Sequence, residues 1–246
     1  MNPFSLENRK ALVTGANTGI GQAIAVALSQ AGAHVVCVGR RSCAQTVDLI
    51  HRAGGRATEV SADFSDPMAG AALFAGQGID ILVNNAGIIR RNDSVDFTEA
   101  DWDDVMDINA KAVFFTTQAF AREVLAQGGR GKIINIASLL SFQGGIRVPS
   151  YTASKHSVAG LTKILANEWS AKGINVNAIA PGYIATNNTQ ALRDDPERSA
   201  EILGRIPAGR WGQPEDIAQT AVFLAAPASD YITGAVLNVD GGWLAR

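Results

Sequence analysis

The sequence predicts an α/β fold, a doubly wound parallel sheet of seven strands with helices on both faces. Three observations carry that expectation. Short apolar runs of strand length alternate with segments of helical length from one end of the chain to the other. The first run, ALVTG (11–15), passes through a turn holding Gly15, Gly19 and Gly21 directly into an apolar helical stretch. No linker, internal repeat or low-complexity tract interrupts the 246 residues, and a 47% hydrophobic content supplies core for one domain over 1–246.

In chain order, a helical stretch at 21–33 (GQAIAVALSQAGA) joins the first strand to HVVCVG (34–39). ATEVS (57–61) is the third strand, and DILVNNA (80–86) is the fourth. A long helical segment at 100–127 leads to KIINIAS (132–138), and a second at 151–173 leads to INVNAIAP (174–181). AVLNVDG (235–241) closes the sheet. Crossovers between parallel strands are expected to be right-handed. The stretch 183–213, YIATNNTQALRDDPERSAEILGRIPAGRWGQ, carries polar and Gly/Pro punctuation and reads as a lid or substrate loop over a strand end.

Charge and cysteine content narrow the function. Twenty-one basic against 23 acidic residues give a formal charge of −2, which leaves no electrostatic footprint for nucleic acid or an anionic membrane. No apolar run approaches the ~18 to 20 residues of a membrane span, and MNPFSLENRK lacks the basic-then-apolar pattern of a leader. Cys37 and Cys43 form neither a C-x-x-C pair nor a Cys/His cluster, so no metal is expected and a reduced, cytoplasmic setting fits. A small molecule is the expected partner.

Three motifs carry chemistry. In TGANTGIG (14–21), Gly15, Gly19 and Gly21 let the backbone turn sharply and approach a pyrophosphate at a helix N-terminus. The same spacing also suits a purely structural turn. NNAG (84–87) ends the fourth strand and Asp63 follows the third, which places both on the rim of the sheet where ligands bind. Tyr151 and Lys155 are four apart on a predicted helix and share a face, and Ser138 ends the preceding strand at the same rim. A free tyrosine has a pKa near ~10. An adjacent ammonium favours the phenolate, so Lys155 is expected to tune Tyr151 for proton transfer.

Together TGANTGIG, NNAG, Ser138 and YTASK resemble the classical short-chain dehydrogenases/reductases, and the resemblance covers essentially the whole chain. It implies a Rossmann-type sheet and an NAD(P)-dependent oxidoreductase. Tyr151 would be its general acid/base, Ser138 would hold the substrate oxygen, and Lys155 would contact the nicotinamide ribose. Asn109, in DINAKAVF, would hold a water of a proton relay from Lys155. The resemblance further assigns Gly15, Asn17, Thr18, Gly19, Ile20, Gly21, Arg40, Asp63, Phe64, Asn85, Ala86 and Gly87 to the nucleotide. Pro181 and Gly182 would border the nicotinamide, with Ile184 and Thr186 at its carboxamide.

A narrower resemblance rests on NNAGIIRRNDSVDF, SFQGGIRVPSYTASK, APGYIATNNTQALR, RIPAGRWGQPED and VDGGWLAR. It points to the 2-dehydro-3-deoxy-D-gluconate 5-dehydrogenases (2-deoxy-D-gluconate 3-dehydrogenases) and to the reductases of 4-deoxy-L-erythro-5-hexoseulose uronate, from pectin and alginate breakdown. The substrate implied is a sugar acid, whose carboxylate needs a cation. Arg147 and Arg90 rank first among five candidates that include Arg91, Arg193 and Arg210, with Gln143 and Asn187 as hydroxyl partners. The alternatives are a 3-oxoacyl or sugar-alcohol reductase on the same scaffold, and a non-catalytic dinucleotide sensor. The subgroup resemblance favours NAD(H), whereas Arg40, with no acid at the end of the second strand, leaves NADP(H) open. A homotetramer is implied, with the tail from Trp243 to Arg246 expected to reach a neighbouring subunit.

Overall fold

The computed structural model describes residues 2–246. Seven strands form one parallel sheet: β1 (Lys10–Thr14), β2 (His34–Gly39), β3 (Arg56–Ser61), β4 (Ile81–Asn84), β5 (Gly131–Ile136), β6 (Ile174–Pro181) and β7 (Val236–Val239). Their order is β3-β2-β1-β4-β5-β6-β7, so the chain reverses direction between β1 and β4. That reversal opens a crevice at the carboxyl ends of the strands. The register pairs Val13 with Val83 and Asn84 with Asn135, which aligns the ends of β1, β4 and β5 along one rim.

The described residues form eight α-helices: α1 (Gly19–Gln30), α2 (Ala44–Arg52), α3 (Glu99–Met106), α4 (Ala112–Ala126), α5 (Pro149–Trp169), α6 (Gln190–Asp194), α7 (Pro196–Arg205) and α8 (Pro214–Ala225). One apolar layer packs Ile24, Leu28, Ile217 and Ala221 of α1 and α8 against β1 and β2. The opposite layer packs Phe120, Val124 and Leu165 of α4 and α5 against β1, β4, β5 and β6. Both faces of the central strands are thus buried, which is why they read as near-continuous apolar runs, whereas the edge strand β3 is buried only at Ala57. No helix among the described residues is long and apolar enough to cross a membrane.

The expected helix at 100–127 is interrupted. Between α3 and α4, residues Asp107–Lys111 form a π turn that puts Asn109 inside the protein. A period of 3.6 residues cannot reveal one inserted residue, and such bulges concentrate at functional sites. The 183–213 stretch is largely helical: a 3-10 turn at Asn187–Thr189 runs into α6, and α7 starts on Pro196 with Asp195 capping the Arg198 amide.

Candidate active site

The glycine turn is an anion cradle by construction. Gly15 and Gly19 take φ of +65° and +57°. At Gly21 the space is filled instead, because a Cβ would overlap the Gly15 carbonyl oxygen and the Asn85 amide. The Thr46 hydroxyl donates to the Ala16 carbonyl (2.7 Å) and the Gln22 amide to that of Asn17 (3.4 Å), holding the loop's carbonyls toward α1 and α2. Thr18 at the N-cap makes no side-chain cap bond and no acid lies in the first turn of α1, so the helix amides stay open to an anion. A cleft of about 210 Å³ lies between this turn, residues 85–87 and residues 186–188. The close backbone approach and open helix end fit the pyrophosphate of a dinucleotide.

The NNAG turn locks that cradle. Asn85 donates through its amide to the Thr14 and Gly15 carbonyls (3.0 and 3.1 Å), and the Thr14 hydroxyl accepts from the Asn85 and Ala86 backbone. Asn84 is buried and donates to Thr117 and Asn135 at 2.8 Å each, while Asn135 donates to Thr162 of α5 at 3.0 Å. This chain of satisfied buried amides fixes β4 against α4 and α5. Thr14, Thr46 and Gln22 were not singled out from sequence, since their contacts span 5 to 72 positions.

A second cavity, of about 150 Å³, continues from the first and is lined by Ser138, Tyr151 and Lys155 with Asn85, Gly182 and Ile184. Pro149 at the first turn starts α5, and the one-turn spacing puts Tyr151 and Lys155 on one face. Lys155 is 6% exposed, and its Nζ donates to the Ile136 carbonyl at 2.6 Å and lies 5.5 Å from the Tyr151 ring centre. Burial pushes this ammonium down from 10.5 to about 8. Burial pushes the Tyr151 phenol up, opposed by a hydrogen bond with Ser138 and by the positive field of Arg91. Arg91 thus adds a second cation to that of Lys155, whose Nζ lies 5.5 Å from the ring centre.

Asn109 is 1% exposed and fully engaged. It donates to the Ile88 carbonyl (2.9 Å) and to Ser154 (3.3 Å), and accepts from the Ile88 amide (2.9 Å). Its side chain therefore pins the exit of the NNAG turn to α5. Phe64 is buried in the core, which leaves its main chain for a nucleotide. Asp63 sits exposed, 3.9 Å from Arg40, and its carboxyl is held below the usual range chiefly by hydrogen bonds from Ser65. Asn187 and Thr186 line the nucleotide cleft.

The arginines separate by their partners. Arg90 pairs with Asp101 and Asp104 of α3, Arg147 with Asp93 at 3.0 Å, and Arg210 with Asp216. Those three charges are neutralised. Arg90, Arg91, Arg147 and Gln143 all lie outside the lining of the two cavities. Arg91, which the sequence ranked below Arg90 and Arg147, donates to the Asn188 carbonyl of the 183–213 segment at 3.2 Å and has no carboxylate within 4.0 Å among the described residues. Three acids upstream of and along α3 attract its neighbours, and only three-dimensional proximity shows that Arg91 escapes them.

The tail folds back on its own chain. Trp243 is 4% exposed and packs with Leu139 and with Ile202 and Ile206 at the end of α7. Its ring stacks 4.0 Å from the Arg205 guanidinium and 4.7 Å from Tyr183, and Arg246 donates to the Gly204 carbonyl. The amphipathic α7 leaves an apolar stripe in reach of the tail, and the indole buries it.

A family model described as enoyl-(acyl carrier protein) reductase matches residues 15–244. The 2-dehydro-3-deoxy-D-gluconate 5-dehydrogenase of Dickeya dadantii is 57% identical over 251 aligned positions, covering 100% of this chain and 99% of the relative. That of Escherichia coli is 55% identical with the same coverage. A solved structure from Agrobacterium tumefaciens, provisionally described as a 2-deoxy-D-gluconate 3-dehydrogenase with bound NADP, superimposes with a TM-score of 0.99 at 70% identity over all of both chains. With Ser138, Tyr151 and Lys155 gathered beside a dinucleotide cradle, the chain belongs to the classical short-chain dehydrogenase/reductase family of NAD(P)-dependent oxidoreductases.

Proposed function

We propose that this protein is a 2-dehydro-3-deoxy-D-gluconate 5-dehydrogenase, interconverting a hydroxyl and a ketone on a deoxy sugar acid. The observation that carries the reading is Arg91, a guanidinium that has no carboxylate partner among the described residues and whose positive field lowers the Tyr151 phenol. A sugar acid brings the missing carboxylate, whereas an acyl chain would leave the cation unmatched. Bound NAD(P) supplies the hydride donor or acceptor. Tyr151 gives the substrate oxygen its proton or takes it away, Ser138 orients that oxygen, and Lys155 keeps a positive charge under the phenol. Asn109 holds the Ile88 backbone that forms the floor between them.

Two predictions follow from Arg91. Arg91→Met is expected to raise KM for the acid roughly 10- to 100-fold, the worth of a hydrogen bond to a charged group, with nucleotide KM unchanged. The field of Arg91 lowers the phenol's pKa, so its loss moves the rise of the oxidation rate to higher pH. A spectrophotometric panel of keto-deoxy sugar acids and matched neutral ketoses, with NADH and NADPH, tests the reading. Equal turnover without the carboxylate refutes it.

The nucleotide we assign is NADP(H). Arg40 and Arg41 are exposed where β2 ends, and Glu59, facing them from β3, is occupied by the Cys43 amide at 2.7 Å. Among the described residues the one carboxylate within 4.0 Å of Arg40 is Asp63, at a loose 3.9 Å that a 2′-phosphate can replace. The bound NADP of the Agrobacterium structure supports the same choice. Arg40→Asp is expected to weaken NADPH about 10- to 100-fold and NADH far less. An equal loss for both nucleotides would place Arg40 outside the adenosine pocket. Assembly into a homotetramer completes the proposal: Trp102, Leu125 and Ile164 of α3, α4 and α5 are apolar and exposed, and light scattering reads the mass.

A further inference from the structure

The indole of Trp243 has one polar atom, Nε1, and it can only donate. It donates to Oε1 of Gln143 at 3.3 Å. That contact settles which way the Gln143 amide lies: the oxygen faces the tail, so the NH2 faces the other way. Neither hydrogen of that NH2 has a protein acceptor among the described residues, and Gln143 is only half-buried.

Gln143 lies five residues past Ser138, on the segment that leaves the catalytic cavity. Its backbone amide closes a turn on the Leu139 carbonyl at 3.2 Å, one turn past Ser138. Its partner Trp243 lies against Tyr183, and Tyr183 falls between Gly182 and Ile184, which both line the catalytic cavity. The indole itself has little freedom. Arg205 covers one part of the ring at 4.0 Å, and Asp240 accepts from the Gly242 and Leu244 amides at 2.8 and 3.0 Å, fixing the turn that delivers Trp243. Gly241 and Gly242 make that turn at φ of +63° and +89°, and a Cβ on Gly242 would meet Pro207 at 3.0 Å.

We propose that Trp243 is a positioning residue for substrate: its N–H fixes the Gln143 amide so that both Gln143 N–H groups are presented to an oxygen of the bound substrate. The proposal rests on the sugar-acid reading only for the identity of that substrate. Without the indole N–H the amide can flip or rotate and offer its oxygen instead, which repels a hydroxyl or carboxylate lone pair. The C-terminal residues thereby set substrate affinity from a place that touches no substrate.

The test is a double-mutant cycle on the full-length enzyme with saturating nucleotide. Trp243→Phe keeps a buried ring over Arg205 and Tyr183 and deletes the N–H. It is expected to raise substrate KM about three- to tenfold, in the range of one neutral hydrogen bond, with kcat and nucleotide KM within twofold of wild type. Gln143→Glu keeps an acceptor for the indole but removes both donors, and is expected to raise KM more than tenfold. In a Gln143→Ala background, Trp243→Phe is expected to add nothing, because it acts through Gln143. Additive effects, or a parallel loss of kcat and nucleotide affinity, overturn the proposal and leave Trp243 as lid packing. Should Trp243→Phe melt far below wild type, Gln143→Glu, which leaves the packed tail intact, decides by its KM alone: an unchanged value overturns the proposal. If the wild type turns over no sugar acid, the sugar-acid reading fails by itself, and the cycle is read on whichever ketone the wild type reduces.

Discussion

Tyr151→Phe is expected to lower turnover by roughly 10²- to 10⁴-fold, the usual contribution of a general acid/base, and to leave nucleotide affinity nearly unchanged. The phenol makes no contact that holds the glycine turn or the NNAG turn, so the dinucleotide cradle survives its removal. Only the hydroxyl is deleted, and the ring remains to pack beside Lys155. Ser138 then orients a substrate oxygen with no proton to give it. Fluorescence titration with NADPH and single-turnover kinetics separate the two effects. Retention of more than a tenth of wild-type turnover in a folded protein would remove Tyr151 from its proposed role. The pH profile adds a second check. The wild-type phenol is raised by burial and lowered by Ser138 and Arg91, so Ser138→Ala should displace the alkaline limb upward as Arg91→Met does.

What the sequence disclosed depended on how local each determinant is. The strands were legible because most are short apolar runs bounded by turn residues, the largely exposed edge strand β3 excepted, and β2 and β6 have the bounds expected from periodicity alone. Tyr151 and Lys155 were legible because one helical turn separates them. The π turn at Asp107–Lys111 was not, since one extra residue leaves the apolar pattern of a long helix intact. The partners of the arginines were illegible for a different reason. Arg90 and Arg91 are adjacent and alike in sequence, and what divides them is that α3 brings Asp101 and Asp104 to the first and nothing acidic to the second. Gln143 and Trp243, 100 positions apart, meet only because β7 lies beside β6 and returns the tail to α7. Charge partners and tail contacts are properties of the packed chain, so periodicity and motif spacing carry no trace of them.

Lys155→Met is expected to destroy most activity while leaving the fold as stable as wild type at pH 7, or more so. The ammonium is 6% exposed and its one protein acceptor is the Ile136 carbonyl, so the folded state binds a proton there less tightly than the unfolded chain does. Lowering of its pKa from 10.5 to about 8 corresponds to a penalty of roughly 3 kcal/mol on the charged form. Methionine, of similar length and apolar, removes that penalty but leaves the Ile136 carbonyl without its donor, at a cost of about 1–3 kcal/mol. The two nearly cancel, and Tm should stay level or rise by a few degrees. The pH dependence gives the sign. Below about 8 the lysine is charged in both states and the penalty is complete. Between about 8 and 10.5 the unfolded chain holds more protons than the folded one, so wild-type stability rises relative to the variant as pH increases. Chemical denaturation of both proteins at pH 7 and pH 10 measures that difference, and a gap that fails to narrow would show that Lys155 is not held in the folded protein against its charge. The activity side has the opposite sign. Without the cation under the phenol and beside the nucleotide cleft, both turnover and NADPH affinity should fall, so the residue that strains the fold is the one its chemistry requires.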